Sequence, residues 1–373
     1  MEYVWAEEGR IKFLVPVTDP HHPFPPGSAP VFYNPRMELA RDATVLLSKV
    51  LPVSRYLDAM GATGVRGLRI AKECEVPVTI NDRDPQAVDL IRRNSEILGV
   101  PVEVVSSDAN SLLSGRVFEA VDIDPFGSPA PFIDSALKGC GRFLFVTATD
   151  TAPLCGAHRN AGIRRYFAIA LNNEYHAETG LRILLGFIAR EAARYDRGIE
   201  PLFSYAREHY CRVHLRLLRG ARMADRSLSM MGYVLQCPSC IFRTHTTGIL
   251  PSHEECPYCR NALVPVGPLW TGPLHDRNLL DRLHESISSS GFRLGGELRK
   301  LVDTCRNELD IPHHYDYHGL ARYFHISPPP IDDVIHSLRS RGYEASRAHF
   351  SGTAVKTIAP HSVLREALTR NRS

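Results

Sequence analysis

Arg55-Tyr56-Leu57-Asp58-Ala59-Met60-Gly61-Ala62-Thr63-Gly64-Val65-Arg66-Gly67 is the stretch that decides the fold. Arg55 to Met60 reads as a short buried strand, a glycine loop follows, and a helical pattern runs from Leu68 to Lys72. Glycine lets the backbone turn tightly and approach a ligand, and a helix start presents N–H groups with no partner in the helix. Strand, glycine loop and helix in this order make a nucleotide pocket. The next strand, Val78-Thr79-Ile80, ends in Asn81-Asp82, an acid 21 positions after Gly61, where a ribose hydroxyl needs an acceptor. A third strand, Val102 to Val105, ends in Ser106-Ser107-Asp108-Ala109, where Asp108 can accept from an adenine amino group. A fourth apolar run ends in Val121-Asp122-Ile123-Asp124-Pro125-Phe126-Gly127-Ser128-Pro129. Each acid alone is as readily a helix cap or a turn residue. Asp58, Asp82, Asp108 and Asp124 together line the carboxyl edge of a parallel sheet, where doubly wound folds bind ligands.

The Asp124 strand end indicates the chemistry. An exocyclic base amine is a poor nucleophile because its lone pair is delocalised into the ring. An enzyme that methylates it must localise that pair with acceptors and hold the base against an aromatic face. Asp124 and the Pro125 carbonyl supply acceptors, and Phe126 supplies the face. A nicotinamide or nucleotide cofactor would use a similar edge, but the chain has no Gly-Lys-Ser/Thr phosphate loop, and the Asp-Pro-Phe strand end fits methyl transfer better, so the pocket reads as one for S-adenosylmethionine.

Longer segments then carry a resemblance. Val31-Phe32-Tyr33-Asn34-Pro35 with Arg41-Asp42, the Asp58 to Gly67 loop, Asn81-Asp82, Asp108-Ala109-Asn110 and Asp122 to Pro129 are similar, in this order, to the archaeal and eukaryotic tRNA (guanine-26, N2) dimethyltransferase family. Val146-Thr147-Ala148-Thr149-Asp150-Thr151-Ala152-Pro153-Leu154-Cys155-Gly156 and Gly342 to Phe350 extend the resemblance over nearly the whole chain. It implies that Arg41, Arg66, Asp82, Asp108 and Ala109 contact S-adenosylmethionine. It also implies that Asp124 and Phe126 face the target guanine, with Phe32 stacking on it. The expected reaction is methyl transfer to guanine N2 at tRNA position 26, performed twice on a base extruded from its helix. The alternatives are an amino-methyltransferase for another tRNA guanine or for adenine or cytosine in nucleic acid, and a tRNA-binding or chaperone module without chemistry.

Composition sets the outer bounds. With 373 residues, 44% hydrophobic and 23% charged, the chain can build two or more cored domains. Its start, Met1 to Glu8, is acidic where a secretory leader is basic, and no run of 18 uncharged apolar residues occurs. A cytoplasmic location, no membrane and no obligatory protein partner are expected. The net charge is +3. Residues 221–373 hold 18 Lys+Arg against 15 Asp+Glu, leaving 26 against 26 before them. So small an excess demands a clustered basic face if RNA is bound.

The expected architecture is an α/β, Rossmann-like class I methyltransferase domain over residues 1–220, followed over 221–373 by an α+β tRNA-binding domain. Residues 1–30 read as irregular, with a proline-rich ligand-covering loop at Asp19 to Gly27. Strands at Phe143 to Val146, Leu202 to Tyr205 and Tyr210 to Leu217 close the sheet, the last two as a hairpin. Tyr175 to Tyr195 is a long core helix. Cys237-Pro238-Ser239-Cys240 and Cys256-Pro257-Tyr258-Cys259, 15 residues apart, have the spacing of a structural zinc ribbon at about 232–265. A winged-helix-like segment is expected at about 311–360, with Arg339, Arg341, Arg347 and Lys356 on its second helix and wing, facing RNA.

Overall fold

The computed structural model describes residues 2–17 and 31–369. The chain divides into two compact units: Met1–Thr147 with His214–Leu217 and Arg277–Val302, and Ala148–Val213 with Leu218–Asp276 and Asp303–Ser373. A boundary at residue 220 does not coincide with them. No described helix is long and apolar enough to cross a membrane.

The first unit opens on a hairpin, β1 (Tyr3–Glu8) and β2 (Ile11–Pro16), where the sequence suggested irregular chain. β1 buries only Glu8 and β2 buries all but Lys12, so neither shows the apolar alternation that marks a strand. The chain turns at Gly9, whose φ of 53° lies in the left-handed region. The proline-rich Asp19 to Gly27 loop lies outside the described residues.

Then α1 (Glu38–Val50), β3 (Tyr56–Asp58), α2 (Val65–Cys74), β4 (Val78–Asp82), α3 (Pro85–Leu98), β5 (Glu103–Ser106), α4 (Ala109–Gly115), β6 (Phe118–Ile123), α5 (Ala130–Gly139) and β7 (Cys140–Ala148) alternate. β3 pairs in parallel with β4 and β6, β4 with β5, and β6 with β7. The seven-stranded sheet has the order β5-β4-β3-β6-β7-β9-β8, completed by β8 (Arg197–Arg207) and β9 (Tyr210–Arg219). Two residues join β8 to β9, a link short enough only for an antiparallel hairpin. Leu57, Ile80, Val121 and Leu144 are fully buried, as expected where helices cover both faces of a parallel sheet. The strand order reverses between β3 and β6, and a crevice at such a switch point is where this architecture holds ligands.

The second unit contributes α6 (Thr151–Leu154), α7 (Arg159–Tyr166), α8 (His176–Ala193) and α9 (Ala221–Leu228). A three-stranded sheet, β11-β10-β12, follows from β10 (Met231–Gln236), β11 (Arg243–Thr247) and β12 (Val264–Trp270). α10 (Arg277–Ile287) and most of α11 (Gly295–Asn307) return to the first unit. The chain ends with β13 (Tyr315–Asp316), α12 (Tyr317–Phe324), α13 (Ile331–Ser340), β14 (Ala345–Arg347), β15 (Ala354–Thr357) and α14 (His361–Leu368), whose strands pair as β13-β15-β14. Leu320, Val334, Ile335, Leu338, Val355 and Leu364 fill the core of this last segment.

The basic edge expected here is not free. Lys356 is fully buried, because every residue of β15 faces protein. Its Nζ donates to Glu178 Oε1 at 2.7 Å and to the Ile311 carbonyl at 2.8 Å. Arg347 pairs with Asp332, Arg341 with Glu366, and Arg339 donates to the Ala345 carbonyl.

Candidate active site

The ends of β3 and β6 and the first turn of α2 bring one guanidinium among three carboxylates. Gly64, at φ 80°, lets the loop after β3 swing into α2 with Arg66 in the first turn. Arg66 is buried. It donates to Thr44 Oγ1 at 3.1 Å and to Asp124 Oδ2, and lies 3.6 Å from Asp122. Asp122 also accepts from the Tyr56 hydroxyl at 2.7 Å, and Asp58 accepts from the Gly67 N–H at 3.0 Å. Burial pushes the Asp58 carboxyl up to about 7; Arg66 pulls it down, while Asp122 and Asp124 push it further up. Burial works against the Arg66 charge, but Asp122 and Asp124 hold its pKa well above the usual value. Three acids share one base, and Arg66 stays charged among them.

Asp124 opens outward from this cluster, with 22% of its side chain exposed. Two residues on, the Phe126 ring is 81% exposed and meets Phe32 edge to face, with centroids 5.6 Å apart and planes at 81°. A carboxylate acceptor thus stands close in sequence to an uncovered aromatic pair.

Along the same edge, Asp82 accepts from the Ala62 N–H through Oδ2 and from the Asp84 N–H through Oδ1, both at 2.9 Å. It therefore fixes the glycine loop, and each oxygen keeps a lone pair for a further donor. Asp108 caps α4 through Oδ1, which accepts from the Ser111 N–H at 3.0 Å, and Ala109 is buried at the start of that helix. Arg41 is held from the hairpin. Its guanidinium is buried against Glu8, with Nε donating to Oε2 at 2.7 Å, and Nη2 donates to the Asn34 carbonyl. Tyr33 also donates to Glu8, at 2.8 Å. Arg41 thereby ties the hairpin to the segment carrying Phe32.

In the second unit the four ribbon sulfurs converge. Cys237 and Cys259 Sγ are 3.4 Å apart, Cys240 and Cys256 3.5 Å, and Cys259 and Cys240 4.0 Å. These separations exceed the ~2.05 Å of a disulfide. They match the edges, about 3.8 Å, of a tetrahedron with metal–sulfur bonds of about 2.3 Å. The four thiols could hold a metal ion.

A family model described as N2,N2-dimethylguanosine tRNA methyltransferase matches residues 12–369. The chain belongs to this family. The tRNA (guanine(26)-N(2))-dimethyltransferase of Methanoculleus marisnigri is 58% identical over 99% of this chain and 100% of its own. That of Methanoregula boonei is 56% identical over 99% and 98%. The solved structure of Trm1 from Pyrococcus horikoshii with S-adenosyl-L-methionine has a TM-score of 0.88 at 38% identity, covering 98% of this chain and 100% of that one.

The family motifs named Arg66 and Asp124 separately, and the structure adds that they are partners. Glu8, Thr44, Tyr56 and Asp122 were missed as site residues. Thr44 lies three positions after Arg41 on α1, a spacing that puts both on one helix face; the burial of Glu8 leaves no such trace. Cys155 is buried, which pushes its thiol up to about 12, with Asp150 adding to the shift, so it is held as the unreactive thiol.

Proposed function

We propose that this chain transfers methyl groups from S-adenosylmethionine to the exocyclic N2 of guanine at position 26 of tRNA, giving N2-methylguanosine and then N2,N2-dimethylguanosine. The observation that carries the reading is the partly exposed Asp124 two residues before Phe126, whose ring meets Phe32 edge to face, in a chain that matches the methyltransferase family over residues 12–369. S-adenosylmethionine supplies an electrophilic methyl group on a sulfonium. The residues of the chain do the rest by positioning. Phe126 and Phe32 hold the extruded base flat. Asp124 and the Pro125 carbonyl accept from its amine, which localises the lone pair. Arg66 aims Asp124 and offsets the repulsion among Asp58, Asp122 and Asp124. Asp82, Asp108 and Ala109 receive the ribose and adenine, and Arg41, through Glu8, keeps the Phe32 segment in place.

Four cysteines filling four tetrahedral positions suit zinc in a structural role, with no position left open for water. Full-length identity to dimethyltransferases of tRNA supports tRNA as the substrate and the cytoplasm as the place of work.

The reading is tested by incubating the purified chain with unmodified tRNA and isotopically labelled S-adenosylmethionine, digesting the RNA and identifying the nucleoside by mass. Labelled N2,N2-dimethylguanosine at position 26 is the expected product. A label on another base or position would overturn the substrate assignment while leaving the cofactor assignment intact.

A further inference from the structure

We infer that the outer face of α7, with Phe167 just beyond it, is a docking surface for the sugar–phosphate backbone and an unpaired base of the RNA substrate; this rests on the tRNA reading above. The segment His158-Arg159-Asn160-Ala161-Gly162-Ile163-Arg164-Arg165-Tyr166-Phe167 contains three arginines and no acid. At 3.6 residues per turn, Arg159, Asn160, Ile163, Arg164 and Phe167 fall within an arc of about 140°. All five are exposed, whereas Gly162 and Tyr166, on the flank next to Arg159, are buried. A recess of about 650 Å³ runs along this face, lined by His158, Arg159, Asn160, Ala161 and Arg164.

Three features separate this helix from an ordinary solvated one. First, Arg159 and Arg164 have no ion pair or hydrogen bond among the described residues, whereas the exposed helix arginines Arg92 and Arg194 are each matched by an acid. Second, the helix is anchored from behind. Asp150 accepts from the Tyr166 hydroxyl at 2.7 Å and from Arg165 Nη1 at 3.0 Å, so the outer arginines stand on a fixed support. Third, α7 ends at Phe167 with φ 50°, a conformation favoured by glycine and unfavourable for an aromatic residue, and its ring remains 65% exposed. Neither the backbone nor burial accounts for a phenylalanine there. Unpaired guanidiniums beside an uncovered ring fit RNA, whose phosphates take the charges and whose splayed bases stack on aromatic faces.

The test uses the full chain and unmodified tRNA. In the Arg159→Glu/Arg164→Glu double variant, KM for tRNA should rise at least about tenfold, with kcat and the affinity for S-adenosylmethionine within about twofold of wild type. The Arg159→Ala/Arg164→Ala variant should flatten the log-affinity against log-salt slope by about 2, one unit per lost phosphate contact. Phe167→Gly should raise the melting temperature by relieving the backbone and yet weaken tRNA binding, a pair of effects that a merely structural role would not give. Unchanged tRNA affinity and salt slope in the arginine variants would overturn the surface. Failure of the wild-type chain to bind tRNA at all would overturn the reading beneath it instead.

Discussion

Two of the molecule's buried ionic clusters, one in each unit, are built on opposite plans. In the first unit, Asp58, Asp122 and Asp124 share Arg66, acids outnumber base, and Asp124 opens to solvent. In the second, Glu178 is surrounded by Lys356 and Arg182, at 2.7 and 2.9 Å, and by His314 at 2.8 Å, and nothing in the cluster is exposed beyond 2%. Burial raises the Glu178 pKa, but Lys356, Arg182 and His314 together hold it well below the usual carboxylate range. A closed cluster with more cations than acids resists change and serves the fold. An open cluster with too many acids keeps one carboxylate able to accept a proton or a hydrogen bond, which is what an amine nucleophile requires.

The largest expected effect falls on the closed cluster. Lys356→Ala removes the cation nearest to a fully buried Glu178 and should cost about 3–5 kcal/mol of stability, read from chemical denaturation; a loss below about 1 kcal/mol would show that the cluster behaves like a surface pair. Asp58→Asn sharpens the contrast through pH. In the folded chain the Asp58 carboxyl keeps its proton up to about 7, and in the unfolded chain only to about 4. The folded state therefore binds more protons between those values, and stability falls as pH rises through that window. The variant should lose this slope, at most about 4 kcal/mol across it, in melts from pH 4 to 8; an unchanged slope would mean that Asp58 is ionised throughout. The smallest effect is expected at the hairpin turn. Gly9→Ala puts a Cβ at φ 53°, within 2.7 Å of the Arg69 guanidinium and the Glu73 carboxylate. It should cost about 1–3 kcal/mol, and a neutral result would show that the hairpin is not pressed against that ionic pair.

The same contrast explains what could be read from the sequence. Strand ends with Asp58, Asp82, Asp108 and Asp124 were legible because a buried parallel strand is an apolar run and a polar residue must break it. The cysteine pairs were legible because metal geometry fixes their spacing. Partner choice was not legible. Arg66 could be named but not joined to Asp124, since 58 residues separate them. The β1–β2 hairpin was read as irregular because β1 is largely exposed, so Glu8, buried at its end and holding Arg41, left no periodic signal. Lys356 was placed on an RNA-facing wing by the helix, turn, helix, wing pattern, and only the tertiary structure shows Glu178 across from it. The unpaired arginines of α7 were equally invisible, since a charge run does not disclose which of its members already have acids.

The central claim is that the open cluster performs chemistry and does not hold the fold together. Its most direct test is Asp124→Asn, assayed in parallel for methyl transfer to unmodified tRNA, for S-adenosylmethionine binding and for melting temperature. The amide keeps the shape and can still accept from Arg66. Turnover should fall by about 10²–10⁴-fold, with cofactor affinity and melting temperature close to wild type. Full turnover, or inactivity explained entirely by unfolding, would contradict the account.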